Sequence, residues 1–122
     1  MGLDRIAAAD DLFEVAVQST FTAGTENVEL VAAQAGYTLR LVEAYLIART
    51  NVAGANSTIT FKRGTTALRQ LPTVDGYERY LPPRPRGWCE TTLDTEALQV
   101  NASVALTSLS GLVVVQRIPL AA

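Results

Sequence analysis

Apolar and polar residues alternate along most of this chain with a period of two residues, which is the period of a β-strand. The clearest segment runs from Glu96 to Leu106, where the apolar positions are Leu98, Val100, Ala102, Val104 and Leu106. The residues between them include Gln99, Asn101 and Ser103. This pattern predicts a strand with one face on a core and the other face toward solvent or a partner.

Three earlier segments show the same alternation. They predict a first strand from Leu12 to Phe21, a second from Val28 to Ala32 and a third from Tyr37 to Thr50. In the third segment the alternation slips by one residue at Leu41-Val42. Because a slip of one residue turns the core face outward, we expect a β-bulge or a bend near residues 41–43.

Glycine and proline divide the middle of the chain. Gly64 predicts a hairpin between a strand that contains Ile59 and Phe61 and a strand from Thr66 to Leu71. The dipeptide Asp75-Gly76 predicts a tight turn before an aromatic strand. That strand spans residues 77–81.

The segment 82–87 contains three prolines and predicts an extended surface loop. After the alternating segment 96–106, residues 107–111 predict a turn. The last strand is predicted from Leu112 to Ile118. Its residues Val113 to Val115 are apolar on both faces, which is typical of a strand central to a sandwich or buried against another subunit.

About eight short strands without a helix after the first residues predict an all-β fold, an antiparallel β-sandwich of jelly-roll type. A β-barrel is the alternative. The 122 residues suit one domain. We expect the sandwich to span residues 12–122 and a short N-terminal arm to span residues 1–11, since the arm is too short to form a stable helix alone. The sequence shows neither a signal peptide nor a membrane span, so we expect synthesis in a cytoplasm.

The composition offers little chemistry. The chain has no histidine, which removes the usual general base and the commonest transition-metal ligand. Its single cysteine, Cys89, excludes a zinc cluster and an internal disulfide framework. The net charge of -2 does not favour nucleic acid as a partner. We therefore expect no catalytic residue, no cofactor and no metal. A two-carboxylate glycosidase site is the remote alternative, with candidates Glu43, Asp75, Glu78, Glu90, Asp94 and Glu96.

Five aromatic residues could stack on a sugar if their rings were exposed. We expect all five to pack in the core or in an interface. Tyr77 and Tyr80 lie three residues apart, so within one strand they point to opposite faces. The five residues are Tyr37, Tyr45, Tyr77, Tyr80 and Trp88.

Several short motifs occur in an order that resembles small virion proteins of tailed bacteriophages. The pattern is a strand of the form T-x-T-F-x-x-G-T, a proline-containing loop, a G-W-x-E-T element and an alternating A-L-x-x-N strand. It corresponds here to Thr58–Thr65, Leu81-Pro82, Gly87–Thr91 and Ala97–Asn101. The similarity covers roughly residues 26–118, and this chain departs from it in its arginine-rich loop and in Cys89.

The resemblance implies a β-sandwich displayed on a phage particle. We expect a capsid decoration (cement) protein that binds the major capsid protein on the outer surface of the head, as a homotrimer, without nucleic acid or membrane partners. The alternative is a glycan-binding adhesin domain of a head or tail fibre.

Candidate partner-binding residues lie in three places. The arm has nothing of its own to pack on, arginine suits interfaces, and the last strand is apolar on both faces. The candidates are Leu3, Asp4, Arg5 and Ile6 in the arm, Arg84 and Arg86 in the proline-rich loop, and Val113 and Val115 in the last strand.

Overall fold

The computed structural model describes residues 12–22, 27–52, 54–83 and 96–119. Within these ranges the chain forms eight β-strands and no helix. The strands are β1 (Leu12–Phe21), β2 (Asn27–Val31), β3 (Tyr37–Arg49), β4 (Asn56–Arg63), β5 (Thr66–Val74), β6 (Glu78–Leu81), β7 (Leu98–Ala102) and β8 (Leu106–Pro119).

The strands form two antiparallel sheets of four. Sheet A has the order β1-β8-β3-β6, and sheet B has the order β2-β7-β4-β5. The paired strands are therefore nested, with β4·β5 innermost, followed by β3·β6, β2·β7 and β1·β8. This is the winding of a jelly roll, and it confirms the predicted β-sandwich.

The core lies between the two sheets and is built from the inward side chains of every second residue. Its largest completely enclosed side chains come from both sheets, and burying each contributes about 1.5–3 kcal/mol to folding. They include Phe21, Leu39, Leu41, Leu46, Leu106 and Leu109 from sheet A and Ile59, Phe61 and Leu98 from sheet B.

A β-bulge interrupts β3 at the predicted place. Leu41 pairs with Val115, but Glu43 pairs with Val114, so Val42 has no partner of its own in β8. The extra residue keeps Leu41 and Ala44 both directed into the core, and both are buried. The predicted bulge near residues 41–43 is confirmed.

The alternating segment 96–106 is not a single strand. β7 ends at Ala102 in sheet B, and Leu106 begins β8 in sheet A. Between them, the amide of Thr58 donates to the Ser103 hydroxyl at 2.9 Å and the amide of Ser103 donates to the Thr58 carbonyl at 3.0 Å. Val104, predicted to face the core, is 39% exposed in this crossing.

The turn predicted at residues 107–111 is also wrong, because β8 runs without interruption from Leu106 to Pro119. Gly111 lies inside this strand, between Val17 of β1 and Leu46 of β3, with a φ of 143°. A Cβ at this position would overlap the carbonyl oxygen of Tyr45. Glycine is needed here because the backbone of β3 approaches closely, and the position is not a turn.

The Asp75-Gly76 turn is confirmed, but it joins β5 of sheet B to β6 of sheet A instead of closing a hairpin. The Asp75 carboxylate accepts a hydrogen bond from the Thr50 amide at 2.8 Å. The Gly76 amide donates to the Ala48 carbonyl at 2.8 Å. These bonds fix the turn against the end of β3 and thereby position β6 beside it.

Candidate interaction surface

Two of the predicted partner-binding residues lie in the core of the domain. Val113 and Val115 have no exposed surface, and both point into the core between the sheets. They are therefore not available to a partner, and the prediction that they form an interface is wrong. The outward residues of the same strand are Leu112, which is 43% exposed, and the half-buried Val114. The other candidates, Leu3, Asp4, Arg5, Ile6, Arg84 and Arg86, lie outside the described residues.

An apolar row crosses the outer face of sheet A from one edge to the other. Tyr80 of β6 is directly opposite Tyr45 of β3, Tyr45 is opposite Leu112 of β8, and Leu112 is opposite Ala16 of β1. All four side chains are exposed, with Tyr80 at 51% and Tyr45 at 42%. Three strand spacings give the row a length of about 14 Å. We call these four residues the apolar row.

Two carboxylates hold the tyrosine hydroxyls of the apolar row. The Tyr80 hydroxyl donates a 2.6 Å hydrogen bond to Oε2 of Glu43, which lies diagonally across on β3. A hydrogen bond with Glu78, diagonally across on β6, raises the pKa of Tyr45 above its usual 10.0, with smaller contributions from desolvation and from the charge of Glu78. Each strand thus supplies one tyrosine and one glutamate to this cluster, which orients both rings.

The pKa of Tyr80 is raised in the same way, first by the hydrogen bond to Glu43 and then by desolvation and the Glu43 charge. Both phenols therefore remain neutral donors around pH 7 and are unsuited to act as bases there. The cluster offers two aromatic surfaces and two anions to a ligand. Such a surface can stack on a sugar or a guanidinium group and can pair with a cation.

Three of the aromatic residues expected in the core or in an interface lie outside the core, so their packing in an interface stays a prediction. Tyr45 and Tyr80 lie on the outer face of sheet A, and Tyr77 is 68% exposed beside the Asp75-Gly76 turn. Trp88 lies outside the described residues. The sequence contained one signal for Tyr45: after the bulge, Ala44, Leu46 and Ala48 take the inward positions, which leaves residue 45 outside.

The outer face of sheet B is polar. One row across all four strands consists of Asn27, Asn101, Thr60 and Gln70, each directly opposite the next. The neighbouring row consists of Glu29, Gln99, Lys62 and Ala67. The outward positions of sheet B are therefore mostly polar, as its alternation predicted, and several of them are half-buried.

Other site chemistry is limited in the part of the chain that the structure describes. Across residues 12–22, 27–52, 54–83 and 96–119, no three acidic, histidine or cysteine side chains are grouped so that they could hold a metal ion. In the same ranges, no helix is long and apolar enough to cross a membrane.

Comparisons with known proteins give distant structural similarity. No protein-family model matches the chain, and no curated protein sequence matches it. A chain from the solved structure of Bacillus endospore appendages, described as a novel family of disulfide-linked pili, is similar with a TM-score of 0.49 and 17% identity. The alignment covers 90% of this chain and 88% of that chain. No property of that pilus protein is assigned to this chain on this basis.

Proposed function

We propose that this chain is a structural virion protein that decorates the outer surface of a phage head, and that it binds the major capsid protein through the outer face of sheet A. The observation that carries the proposal is the apolar row, in which Tyr80, Tyr45 and Leu112 are each at least two-fifths exposed. The sequence resemblance indicates a phage particle and a capsid protein as the partner. The apolar row provides the surface that would bind it.

The chemistry of the row suits a protein partner. Tyrosine is enriched at the centres of protein interfaces, where its ring buries a large area while few rotatable bonds are fixed. The carboxylates of Glu43 and Glu78 border the rings and suit a capsid surface that carries arginine or lysine. Binding would require no reaction, so stabilisation of the capsid would come from the area buried at each repeated contact.

The homotrimer remains a prediction, but its original argument no longer applies. That argument took Val113 to Val115 as a surface for a second subunit, and Val113 and Val115 belong to the core of one chain. Among the residues that the structure describes, contact between copies would use outward side chains or strand edges.

The test is co-sedimentation of the purified protein with phage capsids that lack it. The double variant Tyr45→Ser/Tyr80→Ser should bind at least about 30-fold more weakly, the loss expected for removing interface anchors. The matched control is Thr60→Ser/Gln70→Ser on sheet B, which should bind like the parent. Equal binding by both double variants would contradict the proposal, provided that their thermal unfolding matches the parent. Electron microscopy of the decorated capsid would locate the bound face directly.

A second candidate function, a glycan-binding domain of a head or tail fibre, is favoured by the Tyr45–Tyr80 pair with its flanking carboxylates. Pyranose rings stack on such aromatic faces, and their hydroxyls donate to carboxylates. Titration with soluble oligosaccharides of bacterial surfaces distinguishes the two functions. Saturable sugar binding that is lost in Tyr45→Ser, together with no binding to capsids, would favour the fibre domain.

A further inference from the structure

The four edges of the two sheets differ in how well they are protected from pairing with another strand. β6 has only four residues, and β2 has five with an irregular register. β5 is interrupted by an irregularity and carries Arg69 and Pro72, which discourage further pairing. β1 has ten residues without proline, lysine or arginine, and Glu14 is its only charged residue. Its register with β8 shifts near its C-terminal end, between Ser19 and Phe21, and is regular before that point.

Along β1, hydrogen-bonding groups on the side away from β8 face no other strand of the described ranges. A long edge without proline or lysine is a template for an additional strand. We infer that β1 pairs antiparallel with β1 of a second copy, so that the two A sheets form one continuous sheet of eight strands. This inference goes beyond the proposed function, because it does not depend on what the outer face binds.

The side chains of β1 are self-complementary when Ala16 faces Ala16 of the second copy. In that register Val15 faces Val17 on the inner side, and Glu14 faces Gln18 on the outer side. The Gln18 amide can donate to the Glu14 carboxylate, so no like charges are opposed. If the strands were displaced so that Glu14 faced Glu14, two carboxylates would meet.

The same register joins the two apolar rows. Ala16 is the last member of the row at the β1 edge, so pairing about Ala16 places the rows of both copies end to end. The combined row would contain eight side chains from eight strands and extend about 34 Å. Continuity of this surface is the second argument for a second copy as the occupant of the edge.

Disulfide trapping tests the register. Directly opposite residues in antiparallel strands have Cα atoms about 4.5–5.5 Å apart, within the range that a disulfide can span. In a Cys89→Ser background, Ala16→Cys should form a covalent dimer under mild oxidation. Gln18→Cys alone should not, because it faces Glu14, but a mixture of Gln18→Cys with Glu14→Cys should. Gln70→Cys on the edge strand β5 is the control for random collision.

Charge variants test the association without a covalent bond and in the protein that retains Cys89. Sedimentation equilibrium should show a dimer for the parent, in place of the homotrimer expected from the sequence, because pairing of one edge strand with its own copy about a two-fold axis closes with two subunits. Ala16→Lys and Ala16→Glu should each be monomeric with unchanged thermal unfolding, because Ala16 is exposed in one copy, and an equimolar mixture should dimerise again. Gln70→Lys should remain dimeric.

Three outcomes would overturn the inference. They are a parent that is monomeric at micromolar concentration, a dimer or trimer that Ala16→Lys leaves intact, and equal cross-linking of Ala16→Cys and Gln18→Cys. If the parent is monomeric, hydrogen exchange gives the reason: protection of the outer amides of β1 would show that another part of the same chain occupies the edge. Capsid co-sedimentation is a separate measurement, so failure of either proposal is recognised independently.

Discussion

The outer faces of the two sheets have the same strand spacing but differ in one row of side chains that crosses each face. The central row of sheet A consists of Tyr80, Tyr45, Leu112 and Ala16, whereas the corresponding row of sheet B consists of Asn27, Asn101, Thr60 and Gln70. Folding requires only that the inner faces be apolar, and both sheets meet this requirement. The apolar row is therefore unnecessary for the core, and it is the surface that we propose as the contact with a partner.

The difference also concerns how the side chains are held. On sheet A, Glu43 fixes the Tyr80 ring through its hydroxyl. An oriented aromatic ring loses less conformational entropy when a partner covers it, so preorganisation favours binding at this face. The comparison therefore predicts that changes on sheet A affect association, while equivalent changes on sheet B affect little.

The largest expected effect comes from Gly111, which lies directly beneath this face. Gly111→Ala introduces a Cβ that overlaps the Tyr45 carbonyl oxygen. The alanine would also have to adopt the backbone φ of 143° that glycine tolerates at this position. Backbone strain and overpacking together should lower the free energy of unfolding by about 3–5 kcal/mol. Urea denaturation followed by circular dichroism measures the loss.

Gly64→Ala is the control for this prediction. Gly64 has a φ of 53°, and the nearest atom to a new Cβ would be the Glu96 carboxylate at 3.9 Å. Only backbone strain applies there, so the loss should be about 1 kcal/mol. Equal losses for the two variants would mean that β3 can shift at Tyr45 without cost.

The next largest effect is expected on capsid binding when a lysine is placed on the outer face of sheet A, compared with a lysine on the outer face of sheet B. Leu112→Lys places a charge in the middle of the apolar row, and it should weaken capsid binding at least about 30-fold while the free energy of unfolding changes by less than about 1 kcal/mol. Thr60→Lys, on an interior strand of sheet B, should weaken binding less than about threefold. A larger loss for Thr60→Lys would assign the contact to sheet B.

A smaller effect concerns alkaline pH. Because hydrogen bonds to Glu78 and Glu43 raise the pKa values of Tyr45 and Tyr80 in the folded state, both phenols should ionise above pH 10.0. Their contribution to stability is complete below the unfolded pKa of about 10 and is lost as the pH rises through the folded pKa. Tyrosinate absorbance near 295 nm measures the titration. Glu43→Gln should move the pKa of Tyr80 back toward 10.0, and an unchanged titration in this variant would refute the assigned cause.

The smallest effect is expected at the Arg63–Glu96 ion pair beside sheet B. The two groups are 3.3 Å apart, and their side chains are 26% and 31% exposed. Glu96→Gln should lower the free energy of unfolding by about 0.5 kcal/mol or less, and high salt should remove the difference. A loss above about 2 kcal/mol would show that this ion pair stabilises the fold more than a partly exposed pair is expected to.

The alternation of residues was sufficient to predict strands and the bulge in β3, because a strand with one buried face requires an inward residue at every second position. It could not assign strands to sheets. Leu98 and Leu106 face the same core from opposite sheets, so the pattern continues across the crossing at Ser103. For β8, the pattern placed Val113 and Val115 on the same face of the strand. It did not show whether that face or the face of Val114 lies in the core, since all three residues are apolar.

The apolar row could not be found in this way, because it depends on registers between distant strands. Tyr45 and Tyr80 become neighbours only through the pairing of β3 with β6. Local patterning contains no information about that register, which is fixed by the turn at Asp75-Gly76 and by the packing of β6 against the domain.

The nested strand pairs also determine the order in which the chain can close. β4 and β5 join through a short turn, whereas β1 and β8 bring together Leu12 and Gln116 from opposite ends of the described chain. If pairs form from the inside outward, each completed pair shortens the loop that the next must close, and the entropic cost is spread over several steps. β1 would then join last, and among the eight described strands it pairs with β8 alone. It would also be the first strand to detach, and a detached β1 exposes the edge of β8 to exchange with another copy.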